Sequence, residues 1–303
     1  MQSMVSSLAR RLLGRSGRLA VVALAAVAFL PSTSKAEVVY GAAGGYAISI
    51  NLSLTLANVS LASASVGPVA PSSITGPIPG GSDTETVLSL NTTLGNIPLV
   101  GNLLRLQTGV LTSTSETDVT GLYNWGVTTG AASVDGLSLE VLDLLVGPSL
   151  LAITADALTS ETTVDGTFGI LEGHGSSTLA GLAISILGTP ITIPVNPGPN
   201  TGIDVSTILG GVTILLNEQK EIVNEDDLLS YETNALRIAL TDVGVTLAGL
   251  GVATLNGSII ISHSDATQVA IPWAVPEPSS YAMMGMGVAS LGLLARRRRA
   301  ASV

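Results

Sequence analysis

The sequence predicts an all-β fold, a β-sandwich with a β-solenoid as the alternative, and three observations predict it. Apolar residues recur at every second position in several runs. The clearest goes from Tyr46 through Ile48, Ile50, Leu52 and Leu54 to Leu56 with small or polar residues between, the alternation of a strand with one buried and one wet face. Gly, Pro and Asn interrupt these runs at short intervals, as turns between strands require. No segment of sustained 3.6-residue period occurs before the C-terminal end. A solenoid needs a regular coil-length repeat. The chain offers one weak copy, Leu103–Ser113 aligned without gaps to Leu150–Ser160, which a duplicated strand pair and a coincidence in a Leu-, Ser- and Thr-rich chain explain equally.

In chain order, Arg10, Arg11, Arg15 and Arg18 precede an apolar run, Leu19–Leu30, and Ser34-Lys35-Ala36 offers a small-residue cleavage site. This is the layout of a secretory signal peptide, so residues 1–36 are read as a leader that signal peptidase cuts between Ala36 and Glu37. Residues 37–274 are read as one exported β-rich domain. After the 46–56 strand, residues 67–81 hold four prolines and four glycines and read as a loop. Short β-prone runs follow at 84–90, 103–111, 117–125, 137–142, 151–164 and 179–187, with some helix near Val141–Leu145. Ile191–Val195 alternates up to a turn at Asn196–Asn200. Three further alternating runs follow, Val212–Leu216, Leu236–Leu240 and Val243–Leu247, and Gly257–Ser262 supplies the last strand.

Composition excludes several classes of function. With the leader and the tail set aside, only Arg105, Lys220 and Arg237 remain against twenty-one acidic residues, a net charge near −18. A nucleic-acid partner is excluded on that balance, because phosphate binding needs a basic surface. There is no cysteine, so an exported domain must hold itself together by burial alone. Aromatic residues are 3% of the chain, too few for the ring platforms on which sugars stack. The same scarcity suits thin β-layers packed with small side chains.

Candidates for chemistry are few. His174 lies in Glu172-Gly173-His174-Gly175-Ser176, which reads as a turn, and His263 precedes Ser264-Asp265; neither has metal-ligand spacing. A secreted hydrolase assembled from His263 with nearby Ser and Asp residues is one alternative function, although no G-x-S-x-G accompanies it. The run from Asn217 to Asp227 is the one dense charged stretch of the domain and reads as a solvated hairpin loop. Its carboxylates and amides are the oxygen ligands calcium takes, so a calcium-dependent surface binding module is a second alternative, although no calcium-loop spacing is present. No phosphate-cradling glycine loop occurs. No catalytic residue, metal ligand or cofactor is assigned.

Residues 275–303 have a tripartite layout. Pro276, Glu277 and Pro278 form an extended peptide, since each proline fixes its own φ and disfavours helix in the residue before it. An uncharged apolar run over 281–295 follows, then Arg296, Arg297, Arg298 and Arg299. The run reads as one hydrophobic transmembrane helix, with the arginines held on the cytoplasmic side. This layout resembles the PEP-CTERM sorting signal of Gram-negative bacteria. The resemblance implies recognition of Pro276-Glu277-Pro278 by an exosortase, transient residence in the inner membrane through the helix, removal of that helix after export, and delivery to the cell surface or extracellular matrix.

A second resemblance concerns the body. Ala155–Ser160, Pro199–Thr201, Leu216–Gln219, Asn234–Ile238 and Ile260–Ser264 fall in the order found in the choice-of-anchor P family of bacterial surface proteins. That resemblance implies a surface-displayed β domain with no catalytic residues. The expectation is therefore a structural or adhesive, non-enzymatic protein, with extracellular polysaccharide as a possible contact.

Overall fold

A computed structural model describes residues 36–272, apart from 79, 99, 120–124, 146 and 248, together with 285–292. Sixteen strands occur in chain order: β1 (Ala36–Leu56), β2 (Val59–Val69), β3 (Ser72–Thr75), β4 (Gly81–Val87), β5 (Leu90–Ile97), β6 (Gly101–Thr108), β7 (Leu111–Thr117) and β8 (Gly126–Leu144), followed by β9 (Leu151–Thr167), β10 (Ile170–Ala180), β11 (Ala183–Ile186), β12 (Thr189–Ile191), β13 (Thr201–Ile203), β14 (Val212–Glu225), β15 (Leu228–Leu247) and β16 (Gly251–Pro272). Residues 1–35 of the expected 1–36 leader, the Pro276-Glu277-Pro278 motif and the Arg296–Arg299 cluster lie outside the described residues. Of the apolar run 281–295, residues 285–292 are helical. Among the described residues no helix is long and apolar enough to cross a membrane.

The strands form two open sheets packed face to face, an all-β sandwich. One sheet runs in the order β13-β14-β15-β16-β1-β2, with β3 also on β1. The other runs β12-β11-β9-β8-β6-β5, with β10 on β9 and β7 joining β4 to β8. Buried Leu, Ile and Val of both sheets make one large aliphatic core from Ile48, Leu52, Leu104, Leu139, Ile153, Leu236, Ile238 and Ile259. The weak repeat has a structural counterpart. Leu104 and Leu151 both pair with Val141, and Leu111 and Leu158 both pair with Val134, so the two copies flank β8 at the same height.

A transverse crease divides the sandwich and corrects the simplest reading of its alternation. Adjacent residues are both buried at Ala47/Ile48 on β1, Leu216/Asn217 on β14, Ala235/Leu236 on β15 and Ile261/Ser262 on β16. One extra residue in a strand moves every later side chain to the other face. Tyr46 therefore faces outward, opposite to Ile48, Ile50, Leu52 and Leu54, and does not continue their buried row. Asn217 and Ser262 carry the distortion in the left-handed region, at φ 49 and 56. The facing sheet breaks at the same level, between β6 and β7, between β10 and β11, and at Asp135-Gly136, where Gly136 has φ 59.

On the side of the crease away from the main aliphatic core, the interior mixes hydroxyls with two small apolar clusters, one of Val38, Val119 and Ala270 and one of Val164, Leu229 and Ala266. Thr162 and Ser264 bond across the sheets at 2.8 Å, Ser262 reaches Ser160 at 3.1 Å and the Ala132 carbonyl at 2.8 Å, and Gln268 donates to Thr128 at 3.1 Å. Small residues let the backbones meet there. A Cβ on Gly45 would lie 2.8 Å from the Ala131 carbonyl oxygen, so the facing backbones leave no room for a side chain there.

Several local expectations change, among them the loop read over 67–81, which holds the end of β2, all of β3 and the start of β4. The stretch 217–227 is strand β14 through Glu225, closed by a short turn at Asp226-Asp227, rather than a hairpin loop. Edge pairing explains this: Glu218–Glu225 pairs with Leu228–Asn234, and alternation sends Glu218 and Lys220 to the outer face, with Glu221 opposite Tyr231 on the other. His174 lies mid-strand in β10, paired with Thr163. Val141–Leu144 is strand, because β6 and β9 pair with it on either side. Asp118, Val119 and Trp125 are not strand, and 120–124 is outside the described residues.

Candidate functional site

The crease gathers a polar cluster on the outer face of the β14-β15-β16-β1 sheet. Register places Glu218 beside Asn234, Asn234 beside His263, and Glu232 beside Asp265. Tyr46 on β1 stacks on the His263 ring, with centroids 4.3 Å apart and planes at 21°. The Asn234 amide nitrogen donates to Glu218 Oε2 and Glu232 Oε1, both at 2.9 Å. Two carboxylate acceptors on that nitrogen fix the amide orientation, so Asn234 Oδ1 is the acceptor facing His263 Nδ1 at 2.8 Å. A proton on His263 Nδ1 completes that bond, and Nε2 lies 3.3 Å from Asp265 Oδ1.

Glu218 is nearly buried, with a side chain 9% exposed, and Arg237 neutralises it through a 2.6 Å contact from Nη1 to Oε1. A buried carboxylate without such a partner is costly. Burial pushes the Tyr46 phenol up to about 12, with the charges of Glu232 and Asp265 adding to the shift and Arg237 opposing it. Tyr231, on the inward face, is raised for the same first reason, with the Glu221 charge second.

The structure separates most of the residues singled out from sequence. Ser262 and Ser264, which flank His263, point to the opposite face and bond Ser160 and Thr162 between the sheets. A Ser-His-Asp relay from these neighbours is therefore not assembled. His174 is exposed on β10, 3.6 Å from Glu172 and 3.8 Å from Asp165. The acidic stretch divides: Glu218 enters the His263 cluster, Asn217 and Gln219 bond inward at 3.0 Å, and Glu221 is held by Asn224 at 2.8 Å. Among the described residues no three His, Asp or Glu side chains are placed to hold a metal ion. Tyr46, Glu232, Asn234 and Arg237 escaped the sequence reading. Their partnership depends on strand register, for which sequence spacing carries no signal.

Residues 274–299 match the PEP-CTERM protein-sorting motif. That match marks the chain as an exported protein sorted by an exosortase to the cell surface. No curated protein matches the sequence. Among solved structures the chain has distant likenesses. The P. putida toluene transporter TodX matches at 9% identity over 80% of this chain and 91% of that one, with a TM-score of 0.20. Ail, the attachment invasion locus protein of Yersinia pestis, matches at 6% identity over 76% and 99%, with a TM-score of 0.15. At such scores neither bears on fold or role, and the sorting motif at 274–299 is the similarity that does.

Proposed function

We propose that the body is a non-enzymatic, structural or adhesive surface domain, similar to the choice-of-anchor P proteins and needing no cofactor. Signal peptidase removes the leader after Ala36. The precursor resides in the inner membrane through its C-terminal hydrophobic run, and exosortase processing at Pro276-Glu277-Pro278 passes the domain to the surface or the extracellular matrix, in contact with polysaccharide. The observation that carries this reading is the sorting motif at 274–299. The His263 cluster supports the non-enzymatic part, since the Asn234 amide, His263 Nδ1 and Arg237 Nη1 are engaged with carboxylates and an amide within the cluster.

The test is Glu277→Ala in the producing host, with fractionation and intact-mass measurement. Wild type should be recovered from the surface or matrix without its C-terminal run. The variant should be exported but remain in the inner membrane, larger by the helix and arginine tail. Unprocessed wild-type protein would defeat the sorting half of the proposal. Hydrolysis by the purified protein that is lost in His263→Ala would defeat the non-enzymatic half.

A further inference from the structure

The two ends of the sandwich differ sharply in charge. Chain entry at Ala36 and exit at Ile271 share one end, where Val38 packs with Ala270. That end carries Glu37, Glu116, Asp118, Asp165, Glu172, Glu225, Asp226 and Asp227 on strand termini and turns. At the far end lie the described residues of the loops 57–58, 98–100, 145–150, 187–188 and 248–250, stretches whose sequence contains no Asp, Glu, Lys or Arg. Hydrogen bonds tie the three that belong to one sheet: Leu145 N–H donates to the Val100 carbonyl at 2.8 Å and Leu187 N–H to the Leu150 carbonyl at 3.0 Å. Apolar side chains project from this end, Leu145 at 70% exposure, Val252 at 65% and Val59 at 64%, with Leu250 and Leu187 also exposed. The nearest carboxylates, Asp143 and Asp242, lie back on or beside the strands, and Asp242 is bonded to Asn256 at 3.2 Å.

We propose that this end binds the same end of a second copy, making a tip-to-tip dimer whose two chain exits point in opposite directions. Charge selects the occupant. A body near −18 repels a second copy wherever carboxylates face each other, and the five loops are a face free of that penalty. Five side chains this exposed present on the order of 500 Å² of apolar surface, within the ~300–600 Å² of the largest patch on a typical monomer, which is often functional, and two copies together reach the ~1,000 Å² that a specific interface needs. A lipid surface fits less well, because interfacial loops are anchored by Trp, Tyr or basic side chains, and the described residues of these loops supply none. β1 alone is 21 residues long, about 70 Å at ~3.3 Å per residue, so the dimer holds its two exits on the order of 140 Å apart. Resting on the adhesive reading above, this geometry joins two surfaces through like copies.

The test uses the processed protein recovered from its host. Sedimentation velocity over a hundredfold concentration range should show a monomer–dimer equilibrium, and X-ray scattering should give the dimer about twice the maximum dimension of the monomer. Leu145→Asp and Val252→Asp place carboxylates at the contact twice per dimer and should each weaken association at least tenfold. Ile170→Asp, an exposed apolar position at the other end, should leave association unchanged. Leu145→Ser, which adds no charge, should weaken it less than Leu145→Asp, and unaltered thermal melts show that folding is intact. A protein that stays monomeric, a side-by-side dimer, or a monomer that pelleted with phosphatidylcholine vesicles unless Leu145 were changed would each overturn the proposal. A correct dimer whose tip variants left adhesion of the producing cells unaltered would instead remove the adhesive reading and keep the dimer.

Discussion

Replacing Tyr46 by Phe isolates the electrostatics of the outer-face cluster. In the unfolded chain the phenol loses its proton near pH 10, whereas in the fold burial, with Glu232 and Asp265 beside it, holds the proton to about pH 12. Between those values the unfolded state binds fewer protons than the folded state, so this group's contribution falls as pH rises. It is fully present below pH 10 and is lost by about pH 12. At about 1.4 kcal/mol per pKa unit the loss is bounded near 2.7 kcal/mol, and because the ring keeps part of its surface in water, screening reduces it to roughly 1 kcal/mol. Denaturant unfolding of wild type and Tyr46→Phe at intervals from pH 9 to 11.5 supplies the assay. The wild type should lose about 1 kcal/mol more than the variant across that range, since Tyr231 and the remaining groups titrate in both proteins. Parallel stability curves would refute the reasoning, as would a variant with the steeper decline.

Two further substitutions probe packing and charge. Arg237→Ala leaves Glu218 nearly buried with Asn234 as its remaining donor, which should cost about 2–3 kcal/mol once the partial exposure of Arg237 is allowed for. Adding Glu218→Gln should recover part of that loss in chemical denaturation. Gly130→Val puts a side chain against the backbone carbonyls of Gly44 and Asp265, neither of which can yield. It should cost more than ~3 kcal/mol and leave little folded protein, whereas Gly198→Ala, with open space around it, should change the melting transition by less than 0.5 kcal/mol, within the ~0.5 kcal/mol usual for surface positions.

How much of this was legible in the sequence follows from the range of the interactions involved. Period-two runs such as Ile48–Leu56 and Leu236–Leu240 are local, and they lie on β1 and β15 as alternation predicts. The sorting motif is also local and could be read directly. The crease was hidden because each strand breaks its alternation only over a few residues, and at Ala47 or Ser262 the extra buried residue is small enough to pass as part of a polar row. Without the crease, Tyr46 reads as core and His263 as a loop residue after its strand. His263 instead lies within β16, and the shift of face brings Tyr46, His263, Glu232 and Arg237 to one surface. The acidic run 217–227 misled in the opposite direction: its composition suggests a loop, yet pairing with β15 keeps it extended.

The crease also predicts that stability is uneven along the sandwich. On the aliphatic side each buried Leu or Ile contributes about 1.5–3 kcal/mol by leaving water. On the hydroxyl side the corresponding positions are Ser113, Ser115, Thr128, Ser160, Thr162, Ser262 and Ser264, and a hydroxyl pair contributes only about 1 kcal/mol net. That side also contains Thr167 Oγ1, Ser177 Oγ, Thr233 Oγ1 and Gln268 Oε1, buried without a bonding partner, each a cost of about 1–3 kcal/mol unless water reaches it. The end at which the chain enters and leaves the body should therefore open first. Native-state amide exchange in dilute denaturant tests this. Amides of 48–56, 236–247 and 253–261 should exchange only on global unfolding, while those of 36–46 and 263–271 exchange through an opening a few kcal/mol cheaper. Uniform protection along β1 and β16 would show that the cross-sheet hydroxyl bonds match the aliphatic core in strength. If the gradient is found, it lies where it does least harm to the far end: the strand ends next to the sorting segment can loosen while the five apolar loops stay anchored on the aliphatic core.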